Sequence, residues 1–248
     1  MIKILFFIEN PLSSGGAEKV LRDLVNHMDL ETFDITVQTL WPCEPEKYLA
    51  KGIHYASVYP AKSRLYRYIM RLENRLGLIY RRHMKKDYDI EVAYLEHATT
   101  QILSHSTNRK AKKLAWVHCD FSVMARNPRD YARRTAKFYA KYDRVVCVSQ
   151  KAQESFRELY GETPTSCVIY NVIDDQLIQE RAALPLPEGI QKRRTTMVAV
   201  GTLYAPKNFT RLLKSHKRLL KEGIEHDLWI VGEGEERPLL KHSLPKTV

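Results

Sequence analysis

The sequence predicts an α/β fold on a mostly parallel sheet, followed by the start of a second α/β unit. Three observations carry this. Short apolar runs alternate with stretches of helical periodicity from the N-terminus to Asn171; the first run is almost unbroken in its apolarity; and a fresh strand-turn-helix pattern begins at Thr195. The opening run IKILFFI (2–8) has the composition of a strand buried on both faces. Residues 11–16 hold proline, serines and glycines, the chemistry of a turn. Val20, Leu21, Leu24, Val25 and Met28 then recur at helical spacing. Further strands are expected at 33–40, 53–58, 90–95, 114–118, 144–149 and 167–170, with helices at 64–82, 129–141 and 150–160. Parallel strands need crossovers, which are usually helices, so the alternation selects a sheet covered on both faces.

After Asn171 the periodicity lapses, and 176–194, with AALPLP and QKRR, reads as a linker between an N-terminal domain (1–175) and a partial C-terminal domain (195–248). The second unit shows TTMVAVG, a turn through Pro206, a helix from Asn208 to Lys221, and a strand at 227–231 ending in Gly-Glu-Gly. Two strands with one or two helices cannot bury both faces of a sheet, so something further is expected to cover it.

Composition narrows the function. A 44% hydrophobic content excludes a disordered chain. No apolar run approaches the roughly 20 residues of a membrane span, and no cleavage site follows the first run, so neither a signal peptide nor a membrane helix is expected and a cytoplasmic location fits. Cys43, Cys119, Cys147 and Cys167 form no CxxC pair, which removes the usual zinc and dithiol spacings. No metal site is expected. The net charge is +11, and residues 62–86 concentrate it, with nine lysines and arginines against Glu73 alone.

Six motifs stand in a fixed order: Ser14-Gly15-Gly16-Ala17-Glu18, Trp116-Val117-His118, Val146-Cys147-Val148-Ser149, Ile169-Tyr170-Asn171-Val172-Ile173-Asp174, Val200-Gly201-Thr202-Leu203 with Lys207-Asn208, and Ile230-Val231-Gly232-Glu233-Gly234. That order resembles glycosyltransferase family 4, of the GT-B architecture. The resemblance implies two Rossmann-like domains facing across a cleft and transfer from a nucleotide sugar with retention at the anomeric carbon. It implies no cofactor beyond that donor. The family usually carries arginine where this chain has Thr202. Its second domain also continues to a pair of glutamates that meet the nucleotide ribose and the donor sugar. Roughly 100 residues or more of that domain are therefore expected beyond Val248, and the chain reads as C-terminally truncated, with Pro245 interrupting the last helix. A partner chain completing the second domain would restore it.

Each site residue has two readings. Gly15 and Gly16 make either an anion-binding helix start, which would approach the donor diphosphate, or a tight turn. They do not form the GxGxxG fingerprint of nicotinamide enzymes. His118, at a strand's carboxyl end, would by resemblance hydrogen-bond the donor sugar, with Asp120 orienting it or meeting the acceptor; otherwise it is a strand-end polar residue. Lys207 would offset the diphosphate charge as the one cation left of the family's two, with Gly201 and Thr202 also placed at the donor by the resemblance. Gly232 and Gly234 would admit base and ribose, or simply serve a strand-to-helix turn.

In the basic segment, Leu65, Tyr68, Ile69, Leu72, Leu76, Ile79 and Tyr80 share one helical face, flanked by Arg64, Arg67, Arg71, Arg75, Arg81 and Arg82. This suits the surface of an anionic membrane, and equally a solvated helix. The leading expectation is a glycosyltransferase of polysaccharide or glycolipid assembly acting on a glycan or lipid-linked acceptor. The alternatives are an inactive remnant that binds acceptor or membrane, and a basic nucleic-acid-binding protein. Charge alone supports the last, and no recognition motif accompanies it.

Overall fold

The structure is a computed structural model that describes residues 1–9, 12, 15–85, 87–124, 126–162, 164–191 and 194–243. Ser14 of the glycine motif and Pro245 lie outside the described residues. The chain divides into two compact units, Met1–Gln176 and Leu177–Val248.

The first unit runs β1 (Ile2–Ile8), α1 (Gly16–Asn26), β2 (Phe33–Thr39), β3 (His54–Ser57), α2 (Arg64–Arg75), α3 (Ile79–His83), β4 (Ile90–Ala93), α4 (Ala98–Leu103), β5 (Lys112–Val117), α5 (Phe121–Met124), α6 (Pro128–Tyr139), β6 (Arg144–Cys147), α7 (Gln150–Tyr160) and β7 (Ser166–Val168). All seven strands are parallel, in the order β3-β2-β1-β4-β5-β6-β7. The twofold alternation of a strand explains why β1 is apolar throughout. Leu5 and Phe7 enter one core with Ala93, Val117, Val145 and Phe156, while Ile4, Phe6 and Ile8 enter the other with Leu21, Val25, Ile35 and Tyr94. Side-chain oxygens of Ser63, Asn127 and Ser149 cap α2, α6 and α7.

The single helix expected over 64–82 is two. Gly77, with φ of 66°, ends α2 and turns the chain into α3. The apolar face proposed for this segment splits accordingly. Ile79 and Tyr80 are buried, and Tyr80 donates to Glu91 Oε1 at 2.5 Å, whereas Leu65, Tyr68, Leu72 and Leu76 form an exposed stripe. The inner side of α2 is instead Tyr66, Ile69, Met70 and the buried Glu73. Glu73 accepts from Tyr59 Oη at 2.8 Å and Arg82 at 2.7 Å, and His83 Nε2 lies at 2.9 Å. Arg82 is thus paired with the buried Glu73 although it is itself exposed, as are Arg64, Arg67, Arg71, Arg75 and Arg81.

The second unit holds β8 (Thr196–Val200), α9 (Phe209–Lys221), β9 (Asp227–Val231) and α10 (Arg237–His242), after helix α8 (Asp175–Ala182), which straddles the division. α8 falls almost wholly within the stretch 176–194 that reads as a linker in the sequence. None of its residues is buried, so it carries no apolar periodicity to read. β8 and β9 pair in parallel, and Leu203, Phe209, Leu213 and Leu240 pack on one face with Ala199, Leu228 and Ile230. On the other, Val198, Val200 and Val231 are exposed, as expected for so short a sheet.

Candidate functional site

In an open parallel sheet, ligands bind beyond the carboxyl ends of the strands where the strand order reverses. Here that point lies between β1 and β4. Gly15 (φ 80°) is the N-cap of α1, and a Cβ there would collide with the Glu18 carboxylate. Glu18 is the third helical residue and is 5% exposed, the arrangement of a side chain folded back over its own helix start. The carboxylate could swing aside, so it is the positive φ that favours glycine here, and α1 already has a carboxylate at its positive end. Gly16 has open space around it, and a Cβ would touch nothing within 4 Å.

His118 follows β5. Its backbone N–H donates to Glu96 Oε1 at 2.5 Å, and the next amide, of Cys119, donates to the same oxygen at 3.0 Å. Its ring packs on Tyr94 with centroids 4.8 Å apart, and Nε2 is buried without a hydrogen-bond partner. Burial holds the imidazole below the ordinary histidine range; the Glu96 charge and the Tyr94 carbonyl act in the opposite direction. A neutral imidazole with an unpaired ring nitrogen is suited to hydrogen-bond a ligand hydroxyl. Burial pushes the Cys119 thiol up, so it is not a ready nucleophile.

Asp120 has a local occupation. Its Oδ1 accepts from the Ser122 N–H (2.9 Å) and hydroxyl (2.5 Å), and Lys151 Nζ lies 3.2 Å from Oδ2. The Ser122 bonds and the lysine hold its carboxyl below the usual range. It starts α5 as an anionic cap.

Three neighbours were not singled out from sequence. Glu96 is 6% exposed. His97 takes φ 63° and ψ −121°, a strained backbone for a residue with a side chain, and its Nδ1 lies 3.1 Å from Tyr131 Oη. Glu9, just past β1, has its carboxyl raised by burial, with His97 and Lys62 acting against the shift. The one signal for them is Glu-His at the end of a predicted strand, which spacing does not distinguish from an ordinary turn.

In the second unit the loops after β8 and β9 are joined through backbone. Gly201 N–H donates to the Val231 carbonyl (3.0 Å), Leu203 N–H to Glu233 (2.9 Å) and Glu236 N–H to Leu203 (2.9 Å). A Cβ on Gly232 would overlap the Gly201 carbonyl oxygen, and one on Gly234 would strike the Leu203 backbone. Loop-to-loop contact therefore accounts for both glycines. Thr202 and Lys207 are exposed, and Lys207 closes a short 3-10 turn before Asn208, itself left-handed at φ 54°. Gly201, Thr202 and Lys207 thus sit on one strand-end loop of the second unit, while Gly15, Gly16, His118 and Asp120 ring the carboxyl end of the first unit's sheet. Among the described residues no group of three or more His, Cys, Asp or Glu could hold a metal ion, and no helix is long and apolar enough to cross a membrane.

Known proteins share this organisation. An uncharacterized glycosyltransferase of Haemophilus influenzae is 23% identical over 246 residues, covering 98% of this chain and 65% of its own. The amylovoran biosynthesis glycosyltransferase AmsD of Erwinia amylovora is 24% identical over 253 residues, covering 99% and 66%. The chain thus spans about two thirds of the length of these curated relatives. Among solved structures, Anabaena Alr3699/HepE in complex with UDP and glucose has a TM-score of 0.58 at 16% identity, over 98% of this chain and 72% of that one. A glycosyltransferase from Rickettsia africae has a TM-score of 0.50 at 14% identity, over 94% and 68%. At such identities the likeness is one of fold, and it agrees with the parallel sheet and the second strand-helix unit described above. The pattern of Glycosyltransferase Family 4 matches residues 14–177, from the glycine turn through His118 to the end of the first unit, and the chain belongs to that family.

Proposed function

We propose that this chain carries the acceptor-side domain and the first part of the donor-binding domain of a retaining glycosyltransferase. It would move a sugar from a nucleotide sugar to a glycan or lipid-linked acceptor in cell-surface polysaccharide or glycolipid synthesis. The observation that carries the reading is His118: within the stretch matched by the family, it carries a buried, unpartnered ring nitrogen at the carboxyl end of β5, one strand beyond the point where the strand order reverses. AmsD, named for amylovoran biosynthesis, and HepE, crystallised with UDP and glucose, support the polysaccharide context and the nucleotide-sugar donor.

In this reading His118 hydrogen-bonds the donor sugar. Lys207 and the backbone amides of the Gly201 loop meet the diphosphate, whose developing charge is the main electrostatic demand of the transfer. No metal is needed for that role. Calorimetric titration with UDP and GDP tests it. Binding tighter than about 100 μM, roughly −5.5 kcal/mol, is expected, weakened at least about tenfold by Lys207→Ala through loss of a charged contact. Absence of binding would leave an acceptor-side domain without its own donor site. The exposed face of the β8-β9 sheet and the presence of Thr202 favour that second reading, of a chain that binds acceptor or membrane but holds no donor; a partner chain completing the domain would restore the first.

Peripheral contact with an anionic membrane belongs to the same proposal. On α2 the exposed stripe of Leu65, Tyr68, Leu72 and Leu76 runs beside a stripe of Arg64, Arg67, Arg71 and Arg75, so a helix lying flat would bury the first and place the second among headgroups. Each well-placed cation adds up to about 1 kcal/mol at such a surface. Co-sedimentation with phosphatidylglycerol-containing vesicles is expected, with little binding to pure phosphatidylcholine. Arg71→Glu with Arg75→Glu should weaken it at least about tenfold, and Leu72→Asp should also reduce it. Equal binding to both vesicle types would remove the electrostatic part of the assignment.

A further inference from the structure

We propose that Glu96 is the positioning residue of this site: its carboxylate, locked onto the two successive amides that follow β5, fixes where the His118 imidazole faces and keeps a negative charge beside it. The proposal rests on the reading of His118 as the ligand-facing group. Glu96 sits three residues past β4, next to the strained His97. It is almost wholly buried, and one oxygen takes both the His118 and the Cys119 N–H. Burying a carboxylate is unfavourable unless hydrogen bonds stabilise the charged form, and two backbone donors at one oxygen are such a stabilisation. A turn between strand and helix could end with its amides in water or on a neutral side chain. Here they converge on a charge, and the residue they carry is the one with the orphaned ring nitrogen.

The same bonds join the loop after β4 to the loop after β5, so the two strand ends on one side of the reversal point move together. Tyr94 completes the arrangement, with its ring against His118 and its hydroxyl buried and unpartnered. The titratable groups around the imidazole are Glu96, the Tyr94 phenol, the Cys119 thiol and, beyond Cys119, Asp120 paired with Lys151. Of these Glu96 is the buried anion, and its charge is also felt at Cys119, Tyr131, Tyr139, Cys147 and Tyr160.

The test uses the full 248-residue chain with labelled histidine, His118 being identified by its missing signal in His118→Asn. Glu96→Gln keeps the shape and an acceptor oxygen but removes the charge. The His118 titration should then move to lower pH by on the order of one unit, because only the Tyr94 carbonyl is left to oppose burial. A His118 midpoint unchanged in Glu96→Gln would overturn the proposal. Should that variant not fold, the wild-type chain supplies the measurement. The His118 and Cys119 amide resonances should shift together, with a common midpoint, as one carboxyl group titrates; two amides that do not move together would equally overturn it. Neither readout involves a sugar or nucleotide, so a failed UDP titration would count against the transferase reading while leaving this result intact. Where transfer or UDP-sugar hydrolysis is measurable, Glu96→Gln should shift the pH profile of the rate, which a purely structural role would not do.

Discussion

Gly232→Ala is expected to destabilise the second unit by about 3 kcal/mol or more, the range of overpacking against immovable atoms. The added methyl group would overlap the Gly201 carbonyl oxygen, which is backbone and cannot rotate away. That carbonyl belongs to a loop held by the Gly201-Val231 and Leu203-Glu233 bonds, so relieving the overlap means parting the two strand ends. Gly201→Ala is the control. Its methyl would meet the Phe209 ring at 3.6 Å, an ordinary contact, and its effect should stay below about 1 kcal/mol. Hydrogen exchange separates the outcomes: in Gly232→Ala the β8 and β9 amides should lose protection while those of β1 and β4 keep theirs. Uniform loss, or no loss, would show that the loops are not joined as described.

The second large effect is expected at Glu73. Its carboxylate gathers Tyr59, Arg82 and His83, and Glu73→Ala would leave the Tyr59 hydroxyl without its acceptor inside the core. The change should cost about 2–4 kcal/mol, more than any surface pair, because the carboxylate is buried although Arg82 is not. Its pH dependence has a definite sign. Burial alone would raise this carboxyl, but the hydrogen bonds from Arg82, Tyr59 and His83 outweigh it and hold the group below its ordinary value of 4.5. The unfolded chain therefore takes up the proton first as pH falls. The stabilisation is complete above about pH 4.5 and is lost as pH drops through the lower native value, so the gap in Tm between wild type and Glu73→Gln should close in acid. A gap constant down to pH 3 would mean that the charge contributes nothing. Glu73 also holds the inner side of α2, so its loss should loosen the stripe assigned to the membrane and weaken vesicle binding without changing a single outward residue.

The sheet was legible because burial on both faces leaves a direct mark: IKILFFI needs no partner to be read as an interior strand. The break at Gly77 was missed because Leu76, Leu78, Ile79 and Tyr80 continue the apolar spacing across it, and only a left-handed glycine separates the two helices. α8 was missed for the opposite reason, having no buried side to impose a period. At the candidate site, the place of His118 at the end of an apolar strand is readable from sequence. Glu96 is not, since its partners are backbone amides 22 and 23 residues away, and an amide has no letter in the sequence. Gly232 was recognised as a turn residue, but the carbonyl that demands it belongs to Gly201, across the sheet.

The strand order has a consequence for how the chain reaches this state during synthesis. β1 is made first and pairs at once with its neighbour β2, but its other edge is reserved for β4, and the bond that aligns them, from Lys3 N–H to Asp89, spans 86 residues. Until β4 emerges, a strand apolar on both faces offers an unpaired edge to any other nascent chain. Such distant parallel pairing is slow, so this interval, rather than the later addition of β5 to β7, is where aggregation competes with folding.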